Sequence, residues 1–200
     1  MFETLTAIDL AILHAVHDAL ASPMLDTVMP FITSLGNLGF IWFLVAAALM
    51  CQKKYRIYGV AVLIAVATQV LIGEFGIKNL IERARPFLVD PALTTDLIRL
   101  PVSYSFPSGH TGSSFAAATA LCFIPLAHNW VKAIPLCGAG LVAFSRIYLC
   151  VHYPSDVLGG IILGVACGIF AGMLVRKWQR EAQLEAAAPP PKHDEANGSS

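Results

Sequence analysis

The feature that most limits what this chain can become is a set of long stretches with no charged side chain. Residues 27–52 contain none, and residues 157–175 contain none again. A hydrocarbon core about 30 Å thick takes roughly 20 apolar residues per helical crossing. In that medium every backbone N–H and C=O must be satisfied inside the segment, which for a chain patterned like this leaves helices. Residues 57–77, 112–128 and 131–150 meet or approach the same length. The pattern predicts an all-α, polytopic membrane helix bundle with five transmembrane helices, the first bent by Pro30, Gly36 and Gly39. Composition points the same way. The chain is 56% hydrophobic and 13% charged, where soluble domains carry about 25% charge, and its mean hydropathy is +0.68.

The two ends differ from this middle. In residues 1–22, Leu5, Ile8, Ile12, Val16 and Ala19 follow one helical face while Asp9, His14, His17 and Asp18 lie off it. That is the pattern of an amphipathic helix lying in the membrane interface, with a short sixth span as the alternative. No basic stretch precedes it and no small-residue cleavage site follows it, so a removable signal peptide is not expected. Residues 23–180 make the membrane-embedded domain. Residues 181–200 are polar and interrupted by proline, and are expected to form a disordered cytoplasmic tail.

The 13 basic and 13 acidic side chains cancel to a formal charge of +0, which argues against nucleic acid as a partner. A lipid bilayer and a membrane lipid are the expected partners, and oligomeric state is left open. Cysteines 51, 122, 137, 150 and 167 show no C-x-x-C spacing and sit in apolar stretches, so they read as small core residues.

Five crossings fix sidedness. Residues 52–56, 129–130 and 176–200 share one side; residues 78–111 and 151–156 share the other. Lys53, Lys54, Arg56, Lys132, Arg176, Lys177 and Arg180 gather on the first side, which is therefore expected to be cytoplasmic in a multi-pass cell-membrane protein. The other side also carries Lys78, Arg83, Arg85 and Arg99, so the bias is modest.

Polar residues at membrane depth are costly and mark function. Here they form three blocks, all placed by parity on the extracytoplasmic side: KNLIERARP from Lys78 to Pro86, PSGH from Pro107 to His110, and SRIYLCVHYPSD from Ser145 to Asp156. Lys78, Arg85 and Arg146 supply three cations, two of them forks suited to phosphate oxygens. Ser108 and Gly109 stand where a helix begins, so free N–H groups there can hold a further oxygen. His152 and Asp156 are spaced so that the carboxylate can fix the imidazole tautomer, freeing the other ring nitrogen to attack. His110 can then protonate the leaving oxygen. The residues contain no metal-ligand spacing, so the chemistry they imply is cofactor-free, metal-free hydrolysis of a phosphomonoester or diphosphate through a phosphohistidine.

These blocks resemble the three-part signature K-x6-R-P, P-S-G-H, S-R-x5-H-x3-D of the phosphatidic acid phosphatase type 2 and vanadium haloperoxidase superfamily. Every signature position is filled, and the resemblance spans roughly residues 24–178. It implies His152 as nucleophile, Asp156 as its partner and His110 as general acid. Lys78, Arg85, Ser108, Gly109 and Arg146 are the phosphate-binding residues it implies. It also implies a helical bundle with its site at the outer membrane boundary and a lipid phosphate as substrate: undecaprenyl diphosphate, phosphatidate or phosphatidylglycerol phosphate. Phosphoryl transfer to another lipid and non-catalytic headgroup binding or transport are the alternatives. Haloperoxidase activity, found in soluble members, fits poorly with five apolar spans.

Other polar residues have blander expectations. Gln69 and Glu74 face either a neighbouring helix or the inner wall of the site. Glu82 and Arg83, lying between signature positions, read as a solvated ion pair. His14, His17 and His128 read as interfacial, and Tyr104 and Phe106 as an entrance or an aromatic belt.

Overall fold

A computed structural model describes residues 2–125 and 128–187. Among them all regular structure is helical. The chain opens with α1 (Phe2–Leu20) and turns at Ser22, whose hydroxyl caps α2 (Pro23–Leu35) while Pro23 takes the first position. A 3₁₀ turn at Asn37–Gly39 leads into α3 (Phe40–Met50) at 50° to α2. The predicted bend is therefore there, and it falls at Gly36–Gly39, where Gly39 takes φ +69; Pro30 is accommodated inside α2.

Next comes α4 (Arg56–Val70), continued by a π-helical stretch, Leu71–Ile77, into α5 (Lys78–Ile81). A short α6 (Pro86–Val89) precedes a long irregular connection to α7 (Gly109–Leu121). The last two helices are α8 (Ala133–Tyr148) and α9 (Pro154–Ala187).

Among the described residues three helical stretches, Arg56–Val89, Asn129–Tyr148 and Pro154–Ala187, are long and apolar enough to cross a membrane, and the bent α2–α3 pair makes a fourth if it is counted as one span. The third expected span, 112–128, does not reach that length: α7 has 13 residues and ends at Leu121. Its surroundings explain why it can be short. Ala116, Ala117, Ala118 and Ala120 are all fully buried, so α7 is enclosed by other helices, and lipid thickness does not set its length.

Small residues allow that enclosure. Gly160, Gly164 and Gly168 recur every fourth residue along the α9 face that meets α7, and Gly172 continues the row against Phe123; a Cβ on Gly164 would lie 3.0 Å from the Ala116 backbone nitrogen. On the other side of α7, Trp42 of α3 donates its indole N–H to Ser114 at 3.0 Å, and Ala61, Val62 and Ala65 of α4 close the core.

The ends modify two expectations. Along α1, Leu5, Ile8 and Ile12 are exposed, while Leu13 packs with Leu93, Cys150 and Tyr153. Asp9, off the apolar stripe, is turned into protein and is 2% exposed. His14 pairs with Asp90 at 2.8 Å. At the other end α9 continues to Ala187, beyond the tail boundary expected after Arg180. Residues 181–187 are mostly helix formers, and Lys177 lies one turn before Glu181 at 3.8 Å. The remainder of the expected tail, 188–200, lies outside the described residues, as do 126 and 127 at the end of the predicted third span.

Candidate active site

The π-helical end of α4, the first turn of α7, the last turn of α8 and the loop into α9 converge around a cavity of about 400 Å³. Six of the eight residues singled out from the sequence line it: Lys78, Arg85, Gly109, His110, Arg146 and His152. The other two, Ser108 and Asp156, stand behind its wall. Ser108 is fully buried, with its hydroxyl 2.9 Å from that of Thr111 and its N–H donating to the Asp156 carbonyl. It stands at the N-cap position of α7, and its N–H ties that helix to the start of α9.

The cations are held by polar groups from different elements. Lys78 bonds both oxygens of Glu74, at 2.7 and 2.8 Å, one turn earlier on the same helix. Gly109 faces this pair: a Cβ there would strike the Glu74 carboxylate and push it from its place beside Lys78. Arg85 donates through Nε to the Ser103 carbonyl (2.6 Å) and through Nη1 to the Val151 carbonyl (2.7 Å). Arg146 donates through Nη1 to Thr33 Oγ1, and its buried Nε–H has no partner. Each of these cations is at most 5% exposed. A buried cation without full pairing is expensive, and three around one cavity define a place for a multiply charged anion.

His152 is 1% exposed. Its Nε2 lies 3.2 Å from Arg85 Nη1, which can only donate, so Nε2 carries the lone pair and Nδ1 the proton. Nδ1 is 3.5 Å from Asp156 Oδ2, just beyond a good hydrogen bond. Burial, reinforced by Arg85, Arg146 and Lys78, pushes the His152 pKa well below its usual 6.5. The imidazole is therefore neutral, with the nitrogen that faces the cations free to act as a nucleophile once Arg85 turns to an incoming anion.

Asp156 is fixed from several directions. Oδ2 accepts from Ser105 Oγ (2.5 Å) and the Tyr153 N–H (2.9 Å), and Oδ1 from Arg83 Nη1 (2.8 Å). Arg83 then reaches Asp9 of α1 through Nη2 at 2.8 Å and lies over the Tyr153 ring at 3.9 Å. This corrects the solvated Glu82–Arg83 pair expected from sequence: Arg83 is drawn inward, 11% exposed, because two buried carboxylates compete for it. His110 has a simpler attachment, with Nε2 2.9 Å from Asn37 Oδ1 in the α2–α3 break.

Sequence inspection missed Asp9, Asn37, Ser103 and Ser105, and misassigned Arg83. Their partners lie far away in the chain, and none stands at a periodic or motif position. Glu74 and Gln69 prove to face the inner wall of the site.

Helices of membrane-crossing length around a pocket that joins three cations to two histidines define a membrane phosphatase. The comparisons give the family. Residues 54–180 match the model of the PAP2 superfamily, and the chain belongs to it. It is similar to an undecaprenyl-diphosphatase of Sulfolobus acidocaldarius, 32% identical over 141 residues, 70% of this chain and 66% of that protein. Phosphatidylglycerophosphatase B of Bacillus subtilis is 33% identical over 161 residues, 72% of this chain and 71% of that protein. Among solved structures, the crystal structure of a transmembrane PAP2-type phosphatidylglycerolphosphate phosphatase from Bacillus subtilis aligns with a TM-score of 0.71 at 28% identity, covering 89% of this chain and 87% of that one.

Proposed function

We propose that the chain removes a phosphate from a lipid phosphomonoester or diphosphate, such as undecaprenyl diphosphate, phosphatidate or phosphatidylglycerol phosphate, through a phosphohistidine on His152. One observation carries this: His152, with Nε2 3.2 Å from Arg85 Nη1, lines together with Lys78, Arg85 and Arg146 a cavity whose other walls include Phe43, Val66 and Val70. A phosphate fits the cationic end and a hydrocarbon chain the apolar end.

The three cations take the non-bridging oxygens and spread their charge as the transition state forms. Nε2 of His152 attacks phosphorus, the P–N bond forms, and the bond to the leaving oxygen breaks with its electron pair on that oxygen. His110 delivers the proton. Asp156, held by Arg83, Ser105 and Tyr153, steadies the Nδ1 proton and the positive charge that grows on the ring. Water then enters where the lipid has left, His110 takes its proton, and attack on phosphorus regenerates His152 and releases phosphate. The charge stabilisation comes from side chains, so turnover proceeds in EDTA, and vanadate inhibits by occupying the phosphate position.

The topology that goes with this has α7 as a fifth, enclosed crossing and α1 lying in the interface with Leu5, Ile8 and Ile12 toward lipid. Parity supports an extracytoplasmic site, with the cations at 53–56 and 176–180 on the cytoplasmic face. The residues fall into an N-terminal interfacial helix (1–22), a catalytic bundle (23–180) and a cytoplasmic tail (181–200).

Rapid quenching with ³²P-labelled substrate tests the central claim. An acid-labile, base-stable phosphoenzyme accumulates in the wild type and is absent in His152→Ala. An undiminished phosphoenzyme in that variant ends the proposal.

A further inference from the structure

The cavity has a second polar level that the mechanism above does not use. Gln69 of α4 is fully buried, lines the cavity, and has no partner for either Nε2 or Oε1. Its carboxamide lies against two glycines: a Cβ on Gly73 would come within 2.8 Å of Nε2, and one on Gly112 would collide with it. Ser113, beside Gly112 on α7, lines the same cavity and donates its hydroxyl to the His110 carbonyl at 3.3 Å. Gly112 and Ser113 follow His110 by two and three residues, ~3–4.5 Å further along α7.

Around this level the remaining wall is largely apolar, with Gly36, Gly39, Phe43, Val66 and Val70. A buried carboxamide with nothing to bond carries its full desolvation cost. A hydrocarbon chain cannot relieve it.

We infer that Gln69 holds the second phosphate of a lipid diphosphate, the one esterified to the lipid, while Lys78, Arg85 and Arg146 hold the terminal one. This rests on the function proposed above and narrows its substrate class. In a diphosphate the second phosphorus is separated from the first by a single bridging oxygen, so its oxygens fall at the next level of the cavity. A phosphomonoester of the same lipid places a methylene there, and a glycerolipid presents its ester carbonyls only several bonds further on.

Neutral donors suit the position. The inner phosphate carries less charge than the terminal one, and it must depart as the lipid monophosphate after the bridging bond breaks. Attack by His152 Nε2 on the terminal phosphorus leaves the electron pair on the bridging oxygen, and Gln69 Nε2 donates to a non-bridging oxygen of the departing group.

Gln69→Leu and Gln69→Met keep the volume and remove the donor, relieving an unpaired polar group, so the variants fold. Phosphate release from farnesyl diphosphate and farnesyl monophosphate is compared as a ratio of kcat/KM in wild type, both variants and His152→Ala. The wild type prefers the diphosphate, and the ratio falls roughly tenfold or more in both variants. Parallel losses on both substrates, or an unchanged ratio, overturn the inference while leaving the phosphatase function standing. A wild type that releases phosphate from neither overturns the inference, and one that also leaves phosphatidate and phosphatidylglycerol phosphate intact overturns the phosphatase function as well.

Discussion

The two histidines of the site are held in opposite ways. Behind His152, Asp156 accepts from Ser105, Tyr153 and Arg83, and Arg83 carries the network on to Asp9, Thr6 and Ser155. Three separate segments of chain thus meet at one carboxylate and a fourth joins through Arg83, in a region with almost no solvent. His110 has a single side-chain partner, Asn37, supplied by a turn where the helix is broken, and Asn37 is itself exposed. A nucleophile has to present one nitrogen along one line through both chemical steps. A group that gives a proton to a departing lipid and then takes one from water has to serve two positions. The multiply braced flank suits the first task and the lightly held flank the second.

Removing the proposed acid should produce the largest effect on this contrast. His110→Asn should slow release of an alkyl phosphate by about 10²–10⁴-fold and release from an aryl phosphate much less, because the better leaving group needs little protonation. The check is kcat/KM across a series of leaving groups. A uniform loss would make His110 a binding residue and erase the contrast.

The braced flank predicts a different signature. Arg83→Met leaves Asp9 and Asp156 buried without their cation, which costs about 3–5 kcal/mol of stability. It should also lower kcat by roughly 10–100-fold, by analogy with the loss of a partner that orients a metal-binding histidine. KM should move little, since Arg83 does not line the cavity. Arg83→Lys should recover part of kcat. A raised KM with unchanged kcat would show that the network shapes substrate entry instead. If Asp9→Asn combined with Arg83→Met is additive, the link from α1 to the site carries no coupling.

Much of this was legible in the sequence because the requirements are local. Charge-free stretches must be helices in a membrane, and phosphate chemistry needs cations, a helix start and an imidazole, so the three blocks could be read without coordinates. The glycines Gly160, Gly164 and Gly168 are local in the same sense, since small residues let helices approach closely, and the α7–α9 contact uses them so. What could not be read depends on which segments meet. Arg83 looks like any solvated arginine until Asp9, 74 residues away, is folded against it. The length of α7 was misjudged because hydropathy does not distinguish a helix facing lipid from one enclosed by other helices. Gln69 was visible as a polar interruption, but its environment was not.

Acidity gives an intermediate test of the braced flank. The unfolded chain binds a proton at His152 below about pH 6.5, whereas burial among Arg85, Arg146 and Lys78 keeps the folded imidazole neutral well below that. The unfolded state therefore holds more protons, and stability contributed by this site is lost as pH falls below 6.5, by up to about 1.4 kcal/mol per unit. Thermal unfolding of His152→Leu should fall less steeply with acid than that of the wild type between about pH 6.5 and pH 5. Equal slopes would mean that the imidazole is solvated and charged, and its bracing would lose its purpose.

The smallest effect belongs to the single bond on the lightly held flank. Asn37→Ala removes one hydrogen bond worth about 1 kcal/mol, so kcat should fall roughly fivefold. The loss should be greater for alkyl than for aryl leaving groups, because Asn37 acts only through His110. In His110→Asn the same substitution should then cost nothing further, a non-additivity expected for two members of one device. Stability should change by no more than a few tenths of a kcal/mol, since the residue is exposed and its helix is already broken at Gly39. A large loss of stability, or a fall in kcat that ignores the leaving group, would place Asn37 among the braces and make the two flanks alike.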